Sequence, residues 1–193
     1  MGRPREFDTD EALDRALEVF WRRGYEGATI PELTEAMGIN RPSLYAAFGN
    51  KEELFRKVLD RYRAGPIAWV REALAAPTAR GVAEGLLRGA ARMAGDAGRP
   101  RGCLVVSGAL ACGEGAESIR QVLVEGREAT AAAIRERFRR AVREGDLPAG
   151  TDCAALARYV VTVMNGMSVQ AASGATGSDL DKVAELAMRA WPG

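Results

Sequence analysis

Apolar residues recur at intervals of three and four along almost the whole chain, which is the spacing of one helix face. The first such face carries Leu13, Ala16, Leu17, Phe20 and Trp21. Three more helices are expected between residues 29 and 65, and later ones at about 79–95, 103–112, 116–144, 152–173 and 179–190. No convincing pair of alternating strands appears. The pattern therefore predicts an all-α fold of about nine helices.

Polar and glycine residues mark the ends of these helices. Thr29 is followed three residues later by Glu32, which is the spacing of a capping box. Asn40 and Asn50 are placed to cap the third and fourth helices. Gly24 and Gly38 are placed to end the first two. Pro66 has no N–H for the carbonyl four residues earlier, so the chain is expected to kink or break there.

Residues 30–49 have the layout of a helix-turn-helix. Leu33 and Met37 precede Gly38, Ile39 follows it, and Leu44 lies on the next helix. A small core of these side chains would hold the two helices at a steep angle and project the second one outward. A major groove is wide enough to admit such a helix.

The segment FWRRGYEGATIPELTEAMGINRPSLYAAFGNKEELF at 20–55 resembles the DNA-binding head of TetR-family transcriptional regulators. The resemblance lies in Phe20, Gly24-Tyr25, Thr29, Gly38, the stretch 43–48, Asn50-Lys51 and Leu54-Phe55. It implies a three-helix head at 1–50, a helical ligand-binding and dimerisation body at 51–193, and a dimeric repressor that a small molecule releases from operator DNA. Ala46 and Ala47 depart from the polar or aromatic residues that many relatives carry there.

Several residues are candidates for contacts with DNA. Arg41 and Ser43, beside Pro42 at the start of the recognition helix, are expected to read base edges, and arginine pairs best with guanine. Thr29 and the amides of its helix are placed to meet a phosphate. The hydroxyl of Tyr45 is also placed to contact a phosphate. The resemblance implies a phosphate contact for Lys51. Arg3 and Arg5 either enter the minor groove or belong to an unordered terminus.

Composition limits the other classes of function. The chain has 27 basic and 26 acidic residues, and residues 1–63 carry 11 basic and 12 acidic ones, so bulk charge does not indicate nucleic-acid binding. Histidine is absent, which removes the commonest general base and metal ligand. We therefore expect no enzyme activity, no metal and no cofactor.

The cysteines and the apolar runs bear on where the protein acts. Its three cysteines form no CxxC pair, which favours a reducing cytoplasm. The uncharged and largely apolar run at residues 102–113 is shorter than the roughly 20 residues that span a bilayer. We expect a cytoplasmic protein with no membrane partner.

The same uncharged run is predicted to lie in the centre of the body and to border a pocket for a small apolar effector. Methionines adapt to varied apolar ligands. The candidate lining, which is equally compatible with ordinary packed core, is Met93, Cys103, Val106, Ser107, Leu110, Met164, Asn165 and Met167. Cys103, near Arg99 and Arg101 at a predicted helix start, leaves open a redox or electrophile sensor. A DNA-binding dimer without a ligand is a further alternative.

The predicted helix at 152–173 carries apolar residues on more than one face, and the last helix, at 179–190, is expected to join it in an interface. One face suits the core of the body, and another suits a twofold partner, as the resemblance implies. The residues expected to form the homodimer are Leu156, Tyr159, Val160, Val163, Val183 and Leu186.

Overall fold

The computed structural model of the protein describes residues 7–110 and 114–192. In this part of the chain there are ten α-helices, one turn of 3₁₀ helix and no strand. The all-α prediction is confirmed. The count exceeds the expected nine because the residues after Pro66 form a short helix of their own.

The first four helices form the head. They are α1 (Thr9–Gly27), α2 (Ile30–Met37), α3 (Arg41–Phe48) and α4 (Lys51–Ala64). The side chains that precede them, those of Asp8, Thr29, Asn40 and Asn50, each accept a hydrogen bond from a backbone N–H of the first turn. The polar residues that predicted these helix starts therefore act as N-caps.

Gly24 interrupts α1 and does not end it. Its φ of 70° and ψ of 177° lie outside the helical region, and a short helical piece continues to Gly27. A residue with a Cβ would be strained at this positive φ. The expected break is present, and the chain turns there toward α2.

A turn at residues 65–68 separates α4 from the next helix. Pro66 cannot donate to the carbonyl of Tyr62, and the N–H of Ile67 bonds that oxygen instead at 3.2 Å. The chain therefore leaves α4 in a new direction with this carbonyl still satisfied.

The remaining helices form the body. They are α5 (Trp69–Leu74), α6 (Ala79–Gly95), α7 (Leu104–Leu110), α8 (Glu117–Arg143), α9 (Cys153–Ala172) and α10 (Gly177–Arg189), with the 3₁₀ turn at Glu114–Ala116. Helix α6 packs against α5, α9 and α10, while α8 packs against α7 and α9. None of the helices in the described ranges is both long and apolar enough to cross a membrane.

The buried side chains form two cores. One lies within the body, between α6, α8, α9 and α10. The other fills the head and continues into the body, because Leu104, Ile119 and Leu123 pack into the same cluster as the head residues. Helix α4 contributes five buried side chains to this second core, namely Leu54, Phe55, Val58, Leu59 and Tyr62. The head is thus packed onto α7 and α8 through α4 and α1.

The uncharged run at 102–113 is only partly central. Leu104, Val105 and Val106 are buried, whereas Ser107 is exposed. The expectation that this run lies in the centre of the body is wrong at Ser107, which is exposed. Its last part, with Cys112, lies outside the described residues.

A buried arginine holds α5 against the rest of the body. The guanidinium of Arg137 on α8 is only 7% exposed, and its Nη2 donates to the carbonyls of Ala76 and Pro77 at 2.8 Å each. These carbonyls lie in the turn between α5 and α6. The contact fixes the position of α5, which forms one wall of the cavity described below.

Candidate functional site

The helix-turn-helix depends on a left-handed glycine. Gly38 ends α2 with a φ of 68°, and its N–H donates to the carbonyl of Glu35 at 3.1 Å. The N–H of Ile39 then closes the turn on the carbonyl of Thr34, also at 3.1 Å. Leu33 and Leu44, both fully buried, pack the two helices against the rest of the head. Helix α3 is therefore held rigidly while its other face stays open.

The open face of α3 is free of acidic residues. Arg41, Pro42 and Tyr45 are exposed, and Ser43 is half-buried. The two residues that follow Tyr45 are alanines. Nη2 of Arg41 donates to the hydroxyl of Tyr45 at 3.3 Å, and the guanidinium carbon lies 5.6 Å from the centre of that ring. Arg41 and Tyr45 thus present one donor-rich surface.

Arg41 differs from other arginines of the head. Arg15, Arg22, Arg56 and Arg61 each form an ion pair with a carboxylate. Arg41 has no such partner among the described residues. Its charge and most of its five N–H donors remain available to a ligand.

Thr29 lies at the start of α2, where its hydroxyl and N–H both bond the carboxylate of Glu32, at 2.9 and 3.0 Å. These two donors hold the pKa of Glu32 below its ordinary value. A phosphate that approaches Thr29 meets a hydroxyl that already has an anionic partner.

Lys51 lies half-buried at the start of α4. Its Nζ donates to the backbone carbonyl of Glu26 at 3.5 Å and lies 4.6 Å from the centre of the Tyr25 ring. Burial lowers the pKa of Lys51, and the carboxylate of Glu26 opposes this in part. The ammonium group is held at the edge of the head, on the helix that follows α3.

The arm with Arg3 and Arg5 lies outside the described residues. The first described side chain, Phe7, packs against Phe48 at the end of α3, with ring centres 6.2 Å apart. The chain therefore enters the head beside the recognition helix.

A cavity of about 640 Å³ lies in the body, within the range of about 300–1,000 Å³ that is typical of small-molecule sites. Five of the predicted residues line it: Met93, Cys103, Val106, Met164 and Asn165. Ser107 and Met167 do not, because Ser107 is exposed and Met167 belongs to the packed core. The side chain of Leu110 lies outside the described part of the chain. The structure thus brings together most of the predicted lining.

The cavity also has walls that local sequence patterns did not indicate. Trp69 and Val70 come from α5, Val122 and Thr130 from α8, and four arginines from α4, α5 and α8. The ring of Trp69 lies directly over Gly89, where a Cβ would come within 2.2 Å of it. Small residues on α6 therefore make room for this wall. No spacing in the sequence relates residues so far apart along the chain.

Cys103 links the cavity to the head. The hydroxyl of Tyr62 on α4, which is fully buried, donates to the sulfur of Cys103 at 3.4 Å. Burial, and then the neighbouring Cys103, raise the pKa of Tyr62 well above its ordinary value, so its hydroxyl remains a donor at neutral pH.

The same tyrosine also meets α1. The ring of Trp21 packs edge-on against that of Tyr62 at 4.9 Å, and its Nε1 donates to the carbonyl of Gly102 at 3.0 Å. We call Trp21, Tyr62, Gly102 and Cys103 the head–body joint. The joint connects the head helices α1 and α4 to the segment that borders the cavity.

An apolar surface covers parts of α9 and α10. Tyr159, Val183 and Leu186 are exposed, Leu186 by 65%. Val160 does not reach this surface because it is fully buried in its own body core, and Leu156 and Val163 are half-buried against that core. Val169, which was not among the expected residues, is also exposed. An exposed cluster of large apolar side chains marks a binding surface.

Comparisons with known proteins agree with this arrangement. A family model described as bacterial regulatory proteins of the tetR family matches residues 12–58. A second, described as the C-terminal domain of tetracyclin repressor-like proteins, matches residues 84–186. The HTH-type transcriptional repressor ComR of Escherichia coli strain K12 is 32% identical over 194 residues, which are 99% of this chain and 92% of that protein.

Solved structures extend the comparison to the whole chain. A cysteine mutant of the TetR family transcriptional regulator CifR, in complex with 26-bp double-strand operator DNA, is 47% identical with a TM-score of 0.94. The match covers 98% of this chain and 100% of that one. A TetR regulator from Rhodococcus sp. RHA1 is 45% identical with a TM-score of 0.65, covering 96% of this chain and 99% of that one. These proteins regulate transcription and are not enzymes, and the chain belongs to the TetR family of bacterial DNA-binding transcriptional regulators.

Proposed function

We propose that the protein is a homodimeric repressor that binds an operator through α3 and is released when a small, largely apolar effector fills the body cavity. The observation that carries the proposal is an exposed recognition helix, whose Arg41 forms no ion pair with a described carboxylate, on a head joined to a cavity through α4. ComR is named a repressor, and CifR has been solved on operator DNA, which supports the same role here. We propose that it acts in the cytoplasm, where bacterial operator DNA lies.

On DNA, α3 lies in the major groove. Arg41 donates to guanine O6 and N7, and Ser43 lies beside it at the start of the helix. Tyr45, Lys51 and the first turn of α2 contact the phosphates on either side. Residues 1–50 act as the DNA-binding unit and residues 51–193 as the effector and dimer unit.

Dimerisation uses the apolar surface of α9 and α10. Tyr159, Val183 and Leu186 of each protomer meet their twofold equivalents and are removed from water. Pairing sets the distance between the two heads, which must match half-sites that face the same side of the duplex.

Release follows from the head–body joint. An effector in the cavity contacts Cys103, whose sulfur accepts the hydroxyl of Tyr62 on α4. A body conformation preferred by the effector moves α4 and α1 together and changes the distance between the heads. The size of the cavity favours this role over a DNA-binding dimer without a ligand.

Cys103 supports a second candidate, a sensor of thiol-reactive electrophiles. The thiol is half-buried at the cavity wall, whereas Cys153 is buried. A covalent adduct on this sulfur would fill the cavity from the side of the joint and remove the acceptor of the Tyr62 hydroxyl. In this variant of the mechanism, an adduct takes the place of a reversible effector.

Substitution of Arg41 tests the reading of bases. Arg41→Ala is expected to weaken specific operator binding by about 1–3 kcal/mol, because one bidentate contact to guanine is lost. The melting temperature should not change, since Tyr45 is the one side chain that Arg41 bonds in the described ranges. Gel-shift titrations measure the affinity, with Arg88→Ala on α6 as the control. An operator affinity equal to that of the parent protein would refute the role of Arg41.

Selection of bound sequences from random DNA tests the dimer and its operator. We expect an inverted repeat whose half-sites lie about 34–36 Å apart, or a multiple of this. Leu186→Glu should give monomers in sedimentation and lose operator binding, because it introduces a charge into the apolar surface. Ser178→Glu, which adds the same charge at the start of α10, should retain both properties. A Leu186→Glu monomer with full operator affinity would contradict the proposal.

Removal of one hydroxyl tests the head–body joint. Tyr62→Phe keeps the ring against Trp21 and removes the hydroxyl, with its bonds to Cys103 and to the backbone of Leu104. Operator affinity without effector should stay within about twofold, while release by the most active compound from a screen should fall about fivefold, the effect of one hydrogen bond. Ser173→Ala, which removes an exposed hydroxyl bonded to the carbonyl of Val169 outside the joint, is the control. Unchanged release in Tyr62→Phe would exclude this route.

Alkylation separates the two candidates. If Cys103 is the sensor, N-ethylmaleimide should abolish operator binding by the parent protein. The Cys103→Ser variant should still bind the operator after the same treatment. Mass spectrometry of the peptides identifies which of the three cysteines is modified. Modification of Cys103 with no change in operator affinity would eliminate the thiol sensor and leave the reversible effector.

A further inference from the structure

The charged side chains around the cavity are predominantly cationic. Arg56, Arg63, Arg71 and Arg127 line it, and Glu125 is the one carboxylate among the described lining residues. The rest of the wall is mainly apolar, with valines, methionines and Trp69. A largely apolar cavity with this excess of positive charge is suited to a ligand that carries both an apolar body and a negative group.

Two of the four arginines have no partner within the described ranges. Arg56 pairs with Glu52 at 2.7 Å, and Arg63 pairs with Asp60 at 3.1 Å. Arg71 and Arg127 form no ion pair or hydrogen bond there, and Glu125 pairs with neither. Arg127 is also half-buried. A half-buried guanidinium without an acceptor is unfavourable, and an anion would remove that cost.

Arg63 reaches across from α4 to the same part of the wall. A Cβ at Gly126 would lie 2.9 Å from Nη2 of Arg63, so the glycine leaves room for this guanidinium against α8. Arg127 is the next residue along α8. The guanidinium of Arg63 therefore lies against α8 one residue before Arg127, and both arginines line the cavity.

A further donor on the wall lacks an acceptor. The amide of Asn165, which lines the cavity from α9, has no hydrogen-bond partner among the described residues. An oxygen-bearing head group supplies acceptors for such donors, whereas a cation or a pure hydrocarbon supplies none.

We propose that the effector is an amphipathic monoanion, an apolar chain or ring system with one carboxylate. The carboxylate lies between the guanidinium groups of Arg63 and Arg127, with Arg71 nearby on α5, and the apolar part lies against Val106, Val122 and Met164. This inference rests on the proposed function, since it names the chemistry of the effector. Because Arg63 belongs to α4, an anion that binds Arg63 acts directly on a helix of the head.

Three compounds with one tail test the head group. Full-length protein is titrated with decanoate, decanol and decylammonium below their micelle concentrations, by calorimetry and by tryptophan fluorescence. Decanoate should bind about tenfold or more tightly than decanol, the effect of a charge-assisted hydrogen bond or more. Decylammonium should bind more weakly than either. Decanoate should also release the selected operator at lower concentration than decanol.

Variants locate the carboxylate. Arg127→Gln and, separately, the exposed Arg71→Gln should reduce the preference for decanoate over decanol and leave decanol affinity unchanged. Arg135→Gln, on the same helix outside the cavity, should retain the full preference. Since Arg71 is exposed and unpaired, its variant keeps the test valid if Arg127→Gln fails to fold.

The outcomes separate this inference from the proposed function. Equal binding and equal release by decanoate and decanol would overturn the anionic effector and leave a purely apolar one in place. Binding of decanoate with an unchanged preference in both arginine variants would also overturn it. Release of the operator by none of the compounds in a wider screen would instead count against the effector-released repressor itself.

Discussion

The buried side chain of Tyr62 is the constraint on which the rest of the molecule depends. It fills the head core on one side, packs against Trp21 on another, and gives its hydroxyl to Cys103 at the cavity. A hydroxyl in such a place needs an acceptor, because an unmade buried hydrogen bond costs about 1–3 kcal/mol. The position of α4 is therefore tied to that of the segment at 102–104. The head cannot move against the body without disturbing these contacts.

The head was largely predictable from sequence because its structure is determined by local chemistry. Thr29, Asn40 and Asn50 are predicted caps, and each caps the expected helix. Gly38 was placed in the turn because only a residue without a Cβ adopts its positive φ easily. Such signals act over three or four residues. They set the angle between α2 and α3 without contacts from distant parts of the chain.

The body was predictable in its helices and much less so in its surfaces. Periodicity identified α9 as apolar on several faces but did not distinguish Val160, which is buried in its own core, from Leu186 on α10, which is exposed. The arginines of the cavity come from residues 56 to 127 and meet only through tertiary packing. The room for Arg63 depends on a glycine in another helix. A sequence pattern holds no information on such pairs.

Helix α9 turns two different sides to two different environments. Val161, Met164, Asn165 and Ser168 line the cavity, while Tyr159 and Val169 face outward. The two sets of positions do not overlap, so one set can mutate while the other is under selection. After gene duplication, one copy of the protein could bind a new inducer and still dimerise with the original protein. Alternatively, it could lose dimerisation with the original protein and still bind the old inducer. In regulators with this arrangement, inducer specificity and dimerisation specificity can change independently within a single genome.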